Sequence, residues 1–176
     1  YNLDGFRVDA VPMMPRMAIR KLRHELNIKL GHHPNDYYLL GETYTGVFGQ
    51  NWIRYYLGDH TLSGQFDFPV MWALRSALSS ETPMSALADQ MHLSTAAYQG
   101  SGAIMAPFMG NHDVGRIISA LNRDPLFSPR EILPESPTTQ GPYDLLAMAW
   151  TFVMTQPGAP VIYYGDEIGL HGAGDP

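Results

Sequence analysis

The sequence contains no cysteine. That excludes disulfides, thiol nucleophiles and zinc–thiolate centres together, while leaving the cellular compartment open. No apolar run approaches the ~20 residues that a membrane-spanning helix needs, so no membrane span is expected. Charge of one sign is scarce as well. Charged residues make up 16% of the chain, the formal net charge is −6, and no Lys/Arg stripe offers a footprint for nucleic acid or an anionic surface. A neutral ligand suits such a chain better than an anionic polymer.

What the chain does contain is apolar surface. With 45% apolar residues in 176, it can bury a core as one compact domain and is too short for two ordinary ones. Its Tyr 10, Phe 7 and Trp 3 suit a core, and equally a carbohydrate cleft in which flat rings lie on sugar faces. The opening stretch, YNLDGFRVDA, reads as a strand already in progress, which implies a chain cut from a longer one.

Periodicity divides the chain into alternating elements. Leu3–Asp9 fits a short buried strand through Leu3, Phe6 and Val8. From Pro15 an amphipathic helix is expected, with Ile19, Leu22 and Leu26 at i, i+3 and i+7, closed by Gly31 and Pro34. Tyr37–Gly41 is the next apolar strand, and 44–63 reads as loop and short helix. Gln65–Phe68 is a third strand, and a helix from Pro69 to about Leu78 follows it. A second helix runs from Pro83, its stripe formed by Met84, Leu87, Ala88, Met91 and Tyr98. Ala103–Met109 is a fourth strand and 114–121 a short helix, before a long Pro-rich surface loop at 122–142. Tyr143–Thr155 is an apolar, buried helix, and Pro160–Tyr164 a fifth strand stopped by Gly165. Strands alternating with helices argue for a parallel α/β sheet or barrel. Five strands cannot close an eight-stranded barrel.

In parallel α/β folds, ligands bind at the carboxyl ends of the strands. Three of the five expected strands end in an acid: Asp9 after DGFRV, Glu42 after YYLLG, and Asp113 after APFMGNH. Any one of them alone could be a helix cap, a role that Asp fills well. Arg7 lies two residues before Asp9, so side-chain alternation puts both on one face, where a cation lowers a carboxyl pKa. Glu42 follows an apolar strand, where desolvation acts in the opposite direction. Asp166 and Glu167, after the fifth strand, read as structural.

The segments around these acids, DGFRVDAV, GET, FMGNHDVGR and PVIYYGDEIGL, resemble, in order, four short conserved regions of the α-amylase family of glycoside hydrolases. The resemblance runs from the first residues to Gly172. It implies a partial (β/α)8 TIM barrel, strands 4–8 with their helices, so that 1–176 would be the C-terminal half of the catalytic domain. The N-terminal half would then be a missing partner, without which the segment is expected to be inactive. The resemblance further implies that Asp9 is the nucleophile, Glu42 the general acid/base and Asp113 the transition-state stabiliser. Arg7, His112 and Asn111 would bind substrate or support the site. Asp175 in GAGDP would belong to a loop that reaches the substrate.

Departures from the family pattern matter too. Many starch-cleaving members place Lys-His two residues beyond the nucleophile, near a structural calcium. Here Val11 and Pro12 stand there, so a structural calcium stays open for the intact enzyme but is not expected at this position, and no metal ligand or other cofactor is assigned. The family's first region, which supplies an Asp and a His to the same subsite, has no counterpart in the chain.

The implied activity is a retaining hydrolase of α-glucosidic bonds in starch, maltodextrin or related glucans. The alternatives are a transglycosylase of the same family and a non-catalytic carbohydrate-binding relative. An enzyme of phosphorylated metabolites would need a phosphate loop, and Gly165, Gly169, Gly172 and Gly174 have no Lys or Arg among them.

Overall fold

The computed structural model describes residues 3–30, 37–124 and 134–173. In chain order the elements are β1 (Gly5–Val8), a 3-10 turn (Val11–Met13), α1 (Arg16–Lys29), β2 (Tyr38–Gly41), α2 (Gln50–Tyr55) and β3 (Gly64–Gln65). There follow α3 (Phe68–Leu78), α4 (Met84–Tyr98), α5 (Ile117–Leu121), α6 (Gly141–Thr155) and a second 3-10 turn (Asp166–Ile168). The strands form one parallel sheet in the order β1-β2-β3, with Arg7 opposite Leu40 and Leu40 opposite Gly64. A helix separates each strand from its parallel neighbour, the crossover that parallel pairing requires. The class is therefore α/β with a parallel sheet.

By chain contacts the protein divides into two compact units. One comprises Tyr1–Pro69, Met91–Ala106 and Pro157–Ala159; the other comprises Val70–Gln90, Pro107–Gln156 and Pro160–Pro176. The core of the first joins Val8, Val11, Ile19, Leu26, Leu39, Ile53, Leu57, Leu62 and Tyr98. In the second, α5 packs on α6, and Ile117, Ile118 and Leu121 are buried along with Leu146, Ala149 and Val153.

Several expected elements differ in detail. Only Val8 of the first strand is buried; Leu3 and Phe6 are exposed, because β1 is the sheet's outer strand and pairs only with β2. Along α1 the buried stripe is Ile19, Arg23 and Leu26, with Leu22 exposed. On α4 it is Leu87, Gln90, Ser94 and Tyr98, while Met84 is exposed. α6 buries one face only, with Met148 and Met154 outside it. The expected helix closure at Gly31 and Pro34 lies outside the described residues, as does most of the expected 122–142 loop.

The expected fourth strand survives as a single parallel bridge, Phe66 to Ala106. The Ile104 N–H donates to Ser63 O and the Ala106 N–H to Gln65 O. Gly64 allows this approach, since a Cβ there would sit 1.9 Å from the Ile104 carbonyl oxygen. The expected fifth strand is not a strand. The Val161 N–H reaches Pro107 O at 2.9 Å, but no ladder forms over 160–164.

Arg23 shows why a charged residue replaced Leu22 in the core stripe. Its guanidinium donates to Thr61 O (3.0 Å), Tyr37 O (2.7 Å) and Ser63 Oγ (2.5 Å), tying α1 to the ends of the segments around β2 and β3. Burial pushes its pKa down, so these bonds offset the desolvation. Replacing Arg23 with Met should destabilise the full-length protein by roughly 2–4 kcal/mol, because buried carbonyls lose their donors. The exposed Arg20→Met control should change stability by less than about 0.5 kcal/mol. Urea denaturation midpoints of the two variants check the contrast.

Candidate active site

β1 and β2 run side by side, and the acids that follow them meet at one cation. Arg7 Nη1 lies 3.0 Å from Asp9 Oδ1, and Arg7 Nη2 lies 2.7 Å from Glu42 Oε1. The two carboxyls differ sharply in exposure, 71% for the Asp9 side chain against 7% for Glu42. Asp9 is held below the ordinary carboxylate range, first by a hydrogen bond with Glu42 and second by the Arg7 charge. Arg7 thus lies beside Asp9, as side-chain alternation requires, and it also grips Glu42, which alternation along one strand does not imply.

Backbone geometry fixes the pair. The Glu42 N–H donates to Val8 O at 3.0 Å, and the Val11 N–H donates to Glu42 O at 2.9 Å. Between Asp9 and the 3-10 turn, Ala10 adopts φ 45°, a left-handed conformation that a residue with a Cβ adopts at a cost. The turn reverses the chain at once, so the strand ends at Val8 and Asp9 projects beyond the sheet. After Glu42, the buried Thr43 donates its hydroxyl to Gln65 Oε1 at 2.6 Å, and Gln65 Nε2 donates to Ile53 O at 2.6 Å. Neither Thr43 nor Gln65 was among the expected site residues. Gln65, the polar residue that opens the expected third strand, was the available signal.

In the second unit, Asn111, His112 and Asp113 stand out between two buried stretches, 106–110 and 114–119. Asn111 accepts the Asp113 N–H through Oδ1 at 3.1 Å and donates through Nδ2 to Asp113 Oδ2 at 3.3 Å. His112 Nε2 lies 3.2 Å from Asp113 Oδ1. The structure therefore gathers these three residues on one turn, with Asn111 supporting Asp113. Asp113 does not cap the following helix: α5 starts at Ile117, its N-cap position is Arg116, and no side chain caps it. Asp166 reads as structural here too, being buried and paired with Arg116 at 3.2 Å. Glu167 is exposed. Asp175 lies outside the described residues.

No helix among the described residues is long and apolar enough to cross a membrane. Nor does any cluster of three or more His, Asp or Glu among them form a metal site. Val11 is fully buried and, like Pro12, offers no side-chain oxygen, so a calcium at that place in the turn does not fit these residues.

Comparison with known proteins follows the same residues. The family model described as "Alpha amylase, catalytic domain" matches residues 1–174. The chain belongs to the alpha-amylase family. It is 30% identical to an alpha-amylase of Streptomyces lividans, over 99% of this chain and 18% of that protein. To a cyclomaltodextrin glucanotransferase of Bacillus licheniformis it is 27% identical, over 99% of this chain and 21% of that one. Among solved structures, an Anoxybacillus alpha-amylase superposes with TM-score 0.76 at 25% identity, covering 98% of this chain and 34% of that one. The chain thus spans a fifth to a third of the alpha-amylase relatives it matches.

The Arg7 bridge has a measurable consequence for an alpha-amylase family enzyme. Without the cation, the Asp9 pKa should rise, so the carboxylate would protonate at a higher pH on acidification. Arg7→Met in the full-length enzyme should therefore shift the acid limb of kcat/KM upward in pH. A pH–rate profile of the two proteins checks this; an unmoved limb would detach Arg7 from the group that titrates.

Proposed function

We propose that this chain carries much of the catalytic centre of a retaining enzyme acting on α-glucosidic bonds of starch, maltodextrin or a related glucan. The observation that carries the reading is the shared guanidinium: Arg7 contacts an exposed carboxylate held below its usual range and a buried one beside it. Retaining glycosidases need two carboxyls close together, about 5–5.5 Å apart, whereas inverting enzymes leave room for a water between them. One guanidinium in contact with both Asp9 and Glu42 keeps the two carboxyls close, which supports the retaining arrangement. On this reading Asp9, kept ionised, attacks the anomeric carbon and forms the glycosyl-enzyme. Glu42 gives its proton to the leaving oxygen and then takes one from the incoming water. Asp113, with His112 and Asn111, stabilises the distorted sugar and its oxocarbenium-like charge.

Within this reading, β1, β2 and β3 correspond to the fourth, fifth and sixth strands of a (β/α)8 barrel. The extended segments at 103–109 and 160–164 correspond to the seventh and eighth. The chain then represents the C-terminal half of the catalytic domain. Support comes from the family match across residues 1–174 and from the order of the parallel strands. Transfer rather than hydrolysis is the second reading, favoured by the similarity to a glucanotransferase; a sugar hydroxyl would then replace water at the glycosyl-enzyme.

In the full-length enzyme, Asp9→Asn should lose several orders of magnitude in kcat while remaining folded; retention of a tenth of wild-type activity would remove Asp9 as nucleophile. Glu42→Gln should keep more of its rate on an α-glucosyl fluoride than on maltotriose, because fluoride leaves without a proton. An equal loss on both substrates would deny Glu42 the acid/base role. Products longer than maltotriose, seen by chromatography of the wild-type reaction, would favour transfer.

A further inference from the structure

In the second unit, the turn that presents Asn111, His112 and Asp113 has little to hold it by itself. Its own backbone bond, from the Val114 N–H to Asn111 O, is long at 3.5 Å, near the limit of a useful hydrogen bond. The side-chain bonds between Asn111 and Asp113 are solvent-exposed. A grip on both sides of the turn comes from α3. Arg75, a single cation in the otherwise apolar stretch FPVMWALRSAL, is 5% exposed. It donates through Nη1 to Met109 O at 2.8 Å and through Nη2 to Gly115 O at 2.7 Å. These two carbonyls flank the turn, one before Gly110 and one after Val114.

A planar guanidinium fixes the separation of its two donors, so it also sets the spacing between the carbonyls it holds. Lys could reach one of them but cannot impose that spacing. A buried acid lies near Arg75. Asp166 is 1% exposed, its Oδ1 pairs with Arg116 Nη1, and its Oδ2 has no hydrogen-bond partner. A Cβ added at Gly110 would lie 3.6 Å from Arg75 Nη1 and 3.7 Å from Asp166 Oδ2, so both groups border the first residue of the turn. Burial raises the Asp166 pKa, while Arg116 and then Arg75 oppose it. Arg116 in turn holds Tyr164 O and lies over the rings of Tyr163 and Tyr164 at 4.1 and 4.7 Å.

We propose that Arg75 is a positioning residue for the reaction: by holding Met109 O and Gly115 O with one guanidinium, it fixes where the Asn111–His112–Asp113 turn presents the Asp113 carboxylate. The inference rests on the reading of Asp113 as the transition-state stabiliser. It assigns Arg75 no contact with substrate. A misplacement of about 1 Å in such a group costs on the order of 100-fold in rate, whereas ground-state binding need not change.

The test uses the full-length enzyme with 4-nitrophenyl α-maltoside as substrate, and compares wild type, Arg75→Gln, Arg75→Lys, Asp113→Asn and the Arg75→Lys/Asp113→Asn double variant. Arg75→Lys keeps a positive charge beside Asp166 and should unfold cooperatively, even if Arg75→Gln does not fold. Its kcat should fall about 10- to 100-fold with KM changed less than about threefold, the pattern of an interaction made only in the transition state. In the Asp113→Asn background the same change should cost less than about threefold, because residues that act through one another are non-additive. The inference is overturned if folded Arg75→Lys keeps kcat within twofold of wild type, or if its cost is equal in both backgrounds. It is overturned likewise if neither Arg75 variant folds, which would make Arg75 a structural staple alone. Should Asp113→Asn itself keep a tenth of wild-type activity, the reading of Asp113 fails first, and the role of Arg75 falls with it.

Discussion

The Arg7 guanidinium lies between two carboxyl groups that would otherwise repel one another, one edge toward Asp9 and the other toward Glu42. Two like charges held close together do not both ionise readily. A shared cation offsets that repulsion, and the difference in exposure breaks the symmetry. Water solvates Asp9, while Glu42 is buried. The chemistry proposed for this unit needs that asymmetry, an ionised nucleophile beside an acid that still has its proton.

That arrangement is useful only if the carboxyls cannot drift, and the backbone sees to this on both sides. Glu42 is tied through its N–H to β1 and through its carbonyl to the turn after β1, so the two acids belong to one hydrogen-bonded frame. Ala10 holds a left-handed conformation at the sharpest point of that frame. Strain of this kind, roughly 1–3 kcal/mol, persists only where surrounding contacts over-determine it. Val11, fully buried next to it, supplies such a contact. Beneath Glu42, the bonds from Thr43 to Gln65 and from Gln65 to Ile53 carry the same constraint into α2.

How much of this could be read from the residues follows from the range of each interaction. The acids were legible because each follows a short apolar run, and because side-chain alternation links Arg7 to Asp9 without knowledge of the fold. β2, α1 and the parallel class followed from periodicity and from the helices between strands. Arg23 was missed in favour of Leu22 because hydropathy treats an arginine as a surface residue; only Thr61 O and Tyr37 O, brought close by folding, make its burial favourable. The strand expected over 160–164 forms no ladder, although the Val161 N–H still reaches Pro107 O. The start of α5 at Ile117 could not be placed, since Asp113 satisfies the usual cap preference and yet is turned toward Asn111 and His112.

Arginine has a second use in this chain, one that bears on how a cysteine-free fold holds its loops. Nine of its eleven cationic residues are arginine, and three of the buried ones act on carbonyl oxygens rather than on carboxylates alone. Arg23 holds Tyr37 O and Thr61 O, Arg75 holds Met109 O and Gly115 O, and Arg116 holds Tyr164 O. In each case the acceptors lie many residues away along the chain, at the ends of loops whose carbonyls a regular element would not satisfy. A disulfide could tie two such points but would fix side chains; a guanidinium fixes the backbone itself and does so at several points from one planar group. The cost is desolvation of a permanent charge, which each site meets with charge-assisted hydrogen bonds and, for Arg116, with two aromatic faces and Asp166. Lysine, with one rotating ammonium, could not replace arginine in this role. For Arg23, Arg75 and Arg116, then, burial of the cation goes with fixing loop geometry rather than with dressing a surface.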